Sequence, residues 1–559
     1  MITIRFVEAG RSVRVPRGTP LLEAGYRAGV VIEAPCGAGG TCGKCLVQVV
    51  PRHAVRALPA CYELSGQEQD RGLVLACATI AVADMDVCST DQFQDGGLRI
   101  LSEGREADLV LQPLIRKSFS PALEHTEIFS GATLLGREFG NTVDRQFGLA
   151  VDVGTTTLVA ALYDLGNGRE LGVATELNPQ ARFAQDVLSR IRLAGVGEQL
   201  QVLQQAVIAE INRLIGRMMA EAGVSRNEIY EAVLSGNTCM LHLAAGVDPT
   251  SLGHFPYAVS LTGDEIRSAA AMNLDIARFG QIWLPPVISA YVGADIVSGI
   301  LACGLHRRQQ TVLLVDIGTN GEMVLAHQGR LWATSTAAGP AFEGMNIRCG
   351  MRASSGAVEG VRIDEQGQLG LTVVGEGAPL GLCGSGLLDL VAELVRSGVI
   401  TAGGGLVRSP TSGIPEALGQ RLEIFDGKPV FRVSTNVWLS RGDIRQVQLA
   451  KSAVRTGIDL LLKHAGIDAT TVEEILIAGS FGAHLRPESL LGLGLLPVDF
   501  AERIVFVGNT SKSGARTFLL NGPSRREAAE LVPRIQVVDL GRDPDFDRTF
   551  VRNLSLGGI

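Results

Sequence analysis

FGLAVDVGTTTLVAALYD, residues 147–164, has a counterpart in VLLVDIGTNGEMVLAHQG, residues 312–329. Both run an apolar segment into an aspartate, turn through Gly-Thr and continue as a second apolar segment, the pattern of a buried strand–turn–strand unit. In the first copy Asp152 ends the strand and Gly154, Thr155, Thr156 and Thr157 make the turn. In the second, Asp316 is followed by Gly318, Thr319, Asn320 and Gly321. Backbone amides and hydroxyls in such a turn can cradle phosphate oxygens, and a carboxylate at the strand end can hold Mg²⁺ through its water shell. One copy alone reads as readily as a tight hairpin; two in order imply related lobes facing a cleft. A later loop in ILIAGSFGAHL, residues 475–485, puts Gly479, Ser480, Phe481 and Gly482 after an apolar strand, where a backbone passes close to an adenosine. Asp152 and Asp316 are then the catalytic candidates, converging on the triphosphate of ATP to hold metal and orient the attacking water. The sequence has no GxxxxGK[ST], and no GxGxxG opens a helix after a strand, which removes the P-loop alternative.

A second constellation lies near the start. PCGAGGTCGKC, residues 35–45, spaces Cys36, Cys42 and Cys45 as C-x5-C-x2-C, and Cys77 follows in LACAT. Four thiolates hold a [2Fe–2S] cluster, and the glycines at 37, 39, 40 and 43 let one loop curl around the irons. A zinc site usually shows two C-x2-C pairs, and one is present. Cys61 is the alternative fourth ligand, in a loop-to-helix segment. Cys77 is favoured because it reads as part of a strand at the distance plant-type ferredoxins use. Cys88, Cys239, Cys303, Cys349 and Cys383 read as small apolar core residues.

Around the cluster loop, residues 1–92 read as one small β-grasp domain. ITIRFV and RSVRVP make a hairpin through Glu8-Ala9-Gly10, Thr19 caps a helix LLEAGYRA stopped by Gly29, and CLVQVV, LVLACATIAV and AVADMDV supply strands. Residues 93–145 are polar and weakly patterned, a linker with a reduced middle segment. Residues 146–559 alternate strands and helices in an α/β pattern. The expected fold class is a multidomain α+β/α/β chain. Its 559 residues are long enough for several cores, and 46% hydrophobic against 19% charged residues indicates a globular protein. A net charge of −8 without a Lys/Arg cluster argues against nucleic acid. The most apolar long stretch, residues 284–305, contains Asp295 and two prolines and fails as a membrane span. The alternating N-terminus does not read as a signal peptide, and ten irregular cysteines do not make a secreted disulfide framework, so a cytoplasmic location is expected.

Other segments are rich in Gly, Ser, Asn and Gln, as cleft-lining loops are: SGNTCMLHL, NPQARFAQDVLSRI, AAGPAFEGMNIRCGMRASSGA, GLCGSGLLDL and DIRQVQLAKSA. Gly384, Ser385 and Gly386 fit a nucleotide contact or a helix N-cap equally well. Asn237, Thr238 and His242 read more readily as structure than as site; Glu322 and Glu343 suit water activation or a salt bridge, and Lys451 a phosphate contact or none.

The two aspartate turns with Ile477–Gly482 resemble the superfamily of acetate and sugar kinases, heat-shock chaperones and actin, which implies a two-lobed actin-like ATPase fold. The whole chain is similar to the reductive activators of corrinoid-dependent enzymes; the telling segments are GLAVDVGTTTLVA, NPQARFAQDVLSRI, SGNTCMLHL, LPPVISAYVGADIVSGIL, VDIGTNGE, AAGPAFEGMNIRCGMR, CGSGLLDL, DIRQVQLAK and IAGSFGAHL. That resemblance implies delivery of one electron from the cluster to the inactive Co(II) corrinoid of a partner methyltransferase system, driven by ATP. It also implies an upstream low-potential donor and a homodimer built through the ATPase domain. Residues 110–145 leave room for only a fragment of the separate middle domain found in the longest relatives. A plant-type cluster sits near about −400 mV, and a one-electron gap of ~300 mV at ~59 mV per decade costs roughly 7 kcal/mol, which an ATP-linked change can supply. The alternative class is an ATP-dependent activator of a radical dehydratase, whose four-iron cluster is shared between subunits.

Overall fold

The computed structural model describes every residue except 29, 31, 33, 35–39, 41–42, 61, 63, 65, 90–102, 106–108, 408–412, 426, 480–484 and 558–559. Cys36, Cys42, Cys61, Ser480, Phe481 and Gly482 therefore lie outside the described residues.

Alternation in the first residues does produce a hairpin: Ile2–Phe6 pairs antiparallel with Arg11–Val15. Ile2–Phe6 also pairs in parallel with Met85–Ser89, so the first and last strands of the domain lie side by side. Leu46–Val50 and Leu73–Leu75 complete a five-stranded sheet, and the helix Leu21–Ala28 contributes Leu21, Leu22 and Ala24 to the core beneath it. This is the β-grasp arrangement. Cys77, expected within a strand, lies instead in a 3-10 turn, Ala76–Ala78, between two short strands. That turn interrupts the strand alternation and brings the thiol against Cys45.

The polar stretch before residue 146 holds a three-stranded antiparallel meander, Ile115–Ser120, His125–Ser130 and Thr133–Phe139. Its pattern is weak in sequence because few positions face inward; Ile115 and Ile128 are fully buried against the core that contains Trp283 and Phe518.

The repeat at 147 and 312 generates two six-stranded sheets that share a five-strand topology and differ in the sixth strand: Glu265–Ser268 adds antiparallel beside Gln281–Leu284 in one, Ile535–Val537 in parallel beside Arg330–Thr336 in the other. In the first, Phe147–Val153, Thr157–Asp164 and Glu170–Leu177 form an antiparallel meander, and Ile229–Gly236 then Gln281–Leu284 add in parallel on the other side of the first strand. In the second, Val312–Ile317, Gly321–His327 and Arg330–Thr336 repeat the meander, with Glu474–Ala478 then Ile504–Gly508 added in parallel. Numbered over the five shared strands alone, both read 3-2-1-4-5. The central strands are buried along nearly their whole length, which explains their continuous apolar runs. Helices Ala294–Ala302 and Thr510–Leu520 lie in the core shared by the lobes. They cross so closely at Gly514 that a Cβ there would overlap Ser298.

Candidate functional site

The ends of the first strands carry the two aspartates to one cleft. It is lined by Asp152, Gly154–Thr157, Asn237, Asp295, Asp316, Gly318–Asn320, Glu322, Glu343, Gly479 and Asn509–Ser511. Fourth strands run beside first strands in both lobes, so Ser235 pairs with Asp152 and Ala478 with Asp316. The residue after Ala478 must therefore be small. Gly479 has φ +101°, and a Cβ there would overlap the Ile317 carbonyl and lie 2.8 Å from Asp316 Oδ1.

The first Gly-Thr turn is braced from behind. Arg190, fully buried, donates to the Thr155 carbonyl at 2.7 Å, the Gln180 side chain at 3.1 Å and the Ala184 carbonyl at 2.9 Å. Asn237 caps the helix Thr238–Ala245 with its carbonyl and donates its amide to Thr155 Oγ1 at 2.9 Å. Asp152 accepts from Asn509 at 2.8 Å and Ser511 at 2.7 Å, both at the start of the helix Thr510–Leu520. Thr510 Oγ1, buried in the cleft wall, has no hydrogen-bond partner among the described residues. Glu343 bridges the two lobes: its carboxylate accepts from Thr156 Oγ1 at 2.9 Å and from Thr319 Oγ1, and those hydroxyls lie 3.3 Å apart.

Carboxylates crowd this cleft. Burial, then repulsion from Asp316, pushes Asp295 up to about 7. Burial, then Asp152, does the same to Asp316, also to about 7. Burial raises Glu322 well above the carboxylate range, and Asp295 and Asp316 add to it. Asp152 and Glu343 are raised by burial against the hydrogen bonds they accept. A divalent cation would restore the ionised forms. Among the described residues no three His, Cys, Asp or Glu side chains are placed to ligate one metal directly. Mg²⁺ keeps several waters and takes other ligands from phosphate. The threonine turns, the partnerless Thr510 hydroxyl and the acid set therefore fit a magnesium–triphosphate.

Not every expected residue reaches the cleft. Gly321 is buried under Thr336 and Val454, within the sheet. Gly384, Ser385 and Gly386 open the helix Gly384–Arg396 and are buried against the strand Ala357–Ile363: Ser385 donates to the Glu359 carbonyl at 2.7 Å, and a Cβ on Gly386 would overlap Val358. The smallness of Gly386 serves close packing. Lys451 lies inside the helix Arg441–Ala465 and donates to the carbonyls of Ser555 at 2.6 Å and Gly494 at 3.3 Å; burial lowers it to about 8. His242 is fully buried, bonded to Thr238 O and Leu261 N. Asn509, Thr510 and Ser511 escaped the sequence reading; the available signal was a strand followed by small polar residues opening a helix.

In the small domain Cys45 Sγ and Cys77 Sγ lie 3.2 Å apart, one buried and the other half-buried. Two thiols this close, flanked by Gly40 and Gly43 at φ +66° and +70°, fit a pair of cluster ligands.

Fold and site together define a two-lobed phosphate-binding ATPase unit carrying a ferredoxin-like domain. The description "2Fe-2S iron-sulfur cluster binding domain" matches residues 6–82, "RACo middle region" residues 147–308, and "C-terminal domain of RACo the ASKHA domain" residues 310–558. The corrinoid activation enzyme RamQ of Eubacterium limosum is 30% identical over 95% of both chains. The [Co(II) methylated amine-specific corrinoid protein] reductase of Methanosarcina barkeri is 24% identical over 70% of this chain and 73% of its own. A solved reductive activator for a corrinoid, iron-sulfur protein aligns over 100% of this chain and 98% of that one, at 30% identity and TM-score 0.72. The chain belongs to the family of corrinoid-protein reductive activators. Among the described residues no helix is long and apolar enough to cross a membrane.

Proposed function

We infer that this chain is an ATP-dependent reductive activator. It passes one electron from a [2Fe–2S] cluster held by Cys36, Cys42, Cys45 and Cys77 to the inactive Co(II) corrinoid of a partner methyltransferase system, restoring Co(I). The observation that carries the ATP half is the cleft in which two equivalent strand ends bring Asp152 and Asp316 to one acid-rich, threonine-lined space. Family membership supports the corrinoid half.

The cluster, when bound, supplies the one-electron chemistry. The chain's own residues do the rest. Asp152 and Asp316 hold hydrated Mg²⁺; Thr155–Thr157 and Gly318–Asn320 take the phosphates from opposite lobes, with Gly479 letting backbone approach the nucleotide. Glu322, an acid buried beside this space, orients water. Ser480, Phe481 and Gly482 continue the adenosine contact, residues 1–92, 93–145 and 146–559 act as cluster domain, connector and motor, and the protein works in the cytoplasm as a homodimer through the motor, fed by a low-potential donor.

Asp152→Ala and Asp316→Ala should each abolish ATP-dependent Co(I) formation while the visible spectrum of the cluster persists. Cys42→Ser should lose that spectrum and the activation yet still bind ATP. Co(I) formation surviving in the Cys42 variant would refute the electron route.

A further inference from the structure

The loop that carries Glu343 also reaches the cluster domain. From Glu343, which joins the two phosphate turns through Thr156 and Thr319, the chain continues through Gly344 to Arg348 and Gly350. Gly344, at φ +71°, packs so tightly that a Cβ on Gly350 would overlap its carbonyl, and a Cβ on Gly344 would overlap Met351. Ile347, fully buried, and the Arg348 N–H bond to Asp443 Oδ1 at 2.7 Å seat the loop in the second lobe. Its two ends are thus in contact, so a shift of one presses on the other.

The far end holds the ferredoxin-like domain. Lys44 Nζ donates to the Arg348 carbonyl at 3.0 Å and to the Gly350 carbonyl. Lys44 directly precedes Cys45, whose sulfur meets Cys77. The Arg348 guanidinium sits 5.6 Å from the Tyr62 ring centre, 5.2 Å from Phe425 and 5.8 Å from Trp438, a cation held by aromatic rings of both domains. Tyr62 is in turn tied to the cysteine loop: its N–H donates to the Gly40 carbonyl at 2.7 Å, and a Cβ on Gly43 would overlap its ring.

We propose that the closed loop Glu343–Gly350 is the coupling element between nucleotide and cluster, with Glu343 as sensor and Lys44 and Arg348 as the output grip on the cluster domain. This rests on the cleft binding a triphosphate. The hydroxyls of Thr156 and Thr319 both donate to Glu343, and an incoming phosphate, also an acceptor, competes for them. Expelling Glu343 moves Gly344, hence Gly350, hence the carbonyls that hold Lys44.

The test uses the full-length protein with its cluster. It measures the rate of iron release to a chelator, and the visible circular dichroism of the cluster, with and without a non-hydrolysable ATP analogue whose affinity is measured in parallel. Wild type should show a nucleotide-dependent change of about threefold or more in release rate. Lys44→Met, and independently Arg348→Leu, should retain analogue affinity within about twofold and lose that change. Glu343→Gln should bind analogue more tightly, and its nucleotide-free dichroism should already resemble the nucleotide-bound wild type. A wild type that binds analogue with an unaltered cluster overturns the proposal, as do Lys44 and Arg348 variants that both keep the response. Absence of analogue binding to wild type contradicts the proposed function itself.

Discussion

Asp316 illustrates what burying an acid in the cleft costs the fold. Burial and Asp152 raise its carboxyl from about 3.8 to about 7, so the folded state holds a proton that the unfolded chain gives up near pH 4. The folded protein therefore binds more protons than the unfolded chain across this window, and stability falls as pH rises from about 4 through about 7. Asp295, raised for the same reason, adds to the slope. Asp316→Asn removes part of that burden: the variant should melt a few degrees above wild type at pH 8 without nucleotide and match it near pH 5, while losing ATP hydrolysis. Thermal melts across pH check both. Magnesium–ATP should raise wild-type Tm at pH 8 and leave the variant nearly unmoved.

At the scale of elements, the two lobes are clamped by buried charge. Glu231, on the fourth strand of the first sheet, is fully buried and takes two hydrogen bonds, 2.9 and 2.7 Å, from Arg525 on the helix Pro523–Leu531. Arg525 also lies 4.8 Å from the Trp283 ring centre. Arg525→Met strands the carboxylate and should cost about 3–5 kcal/mol in a denaturant titration. The double variant Arg525→Met with Glu231→Leu should recover most of that. What could be read in advance follows from periodicity. Phe147–Val153 and Val312–Ile317 are buried nearly throughout, so their apolar runs and terminal aspartates stood out as a repeat. Asn509–Ser511 did not, because the preceding strand Ile504–Gly508 is a half-exposed edge with a broken pattern. Gly384–Gly386 were ambiguous because a glycine required by strand–helix packing and one required by a ligand look alike in sequence. Glu343 is a lone acid in a glycine-rich loop; only the fold brings Thr156 and Thr319, 187 and 24 positions away, to its two oxygens.

Over the whole molecule, Lys44 and Arg348 join the cluster domain to the motor among the described residues, and both contacts fall on one loop. The Lys44 and Arg348 contacts lie on the segment whose other end closes the nucleotide cleft. Such an arrangement lets a binding event in one domain bias the other without a shared core. It also means that the small domain can hold its cluster, and the large one its nucleotide, while ATP-dependent delivery of the electron to the corrinoid fails. The direct measurement is a visible-spectrum titration: the pre-reduced protein is mixed anaerobically with a purified Co(II) corrinoid protein, with and without magnesium–ATP. The account predicts Co(I) in stoichiometric amount, one per electron delivered, when ATP is present, and little or none when it is absent. Equal Co(I) yields in the two cuvettes would contradict it.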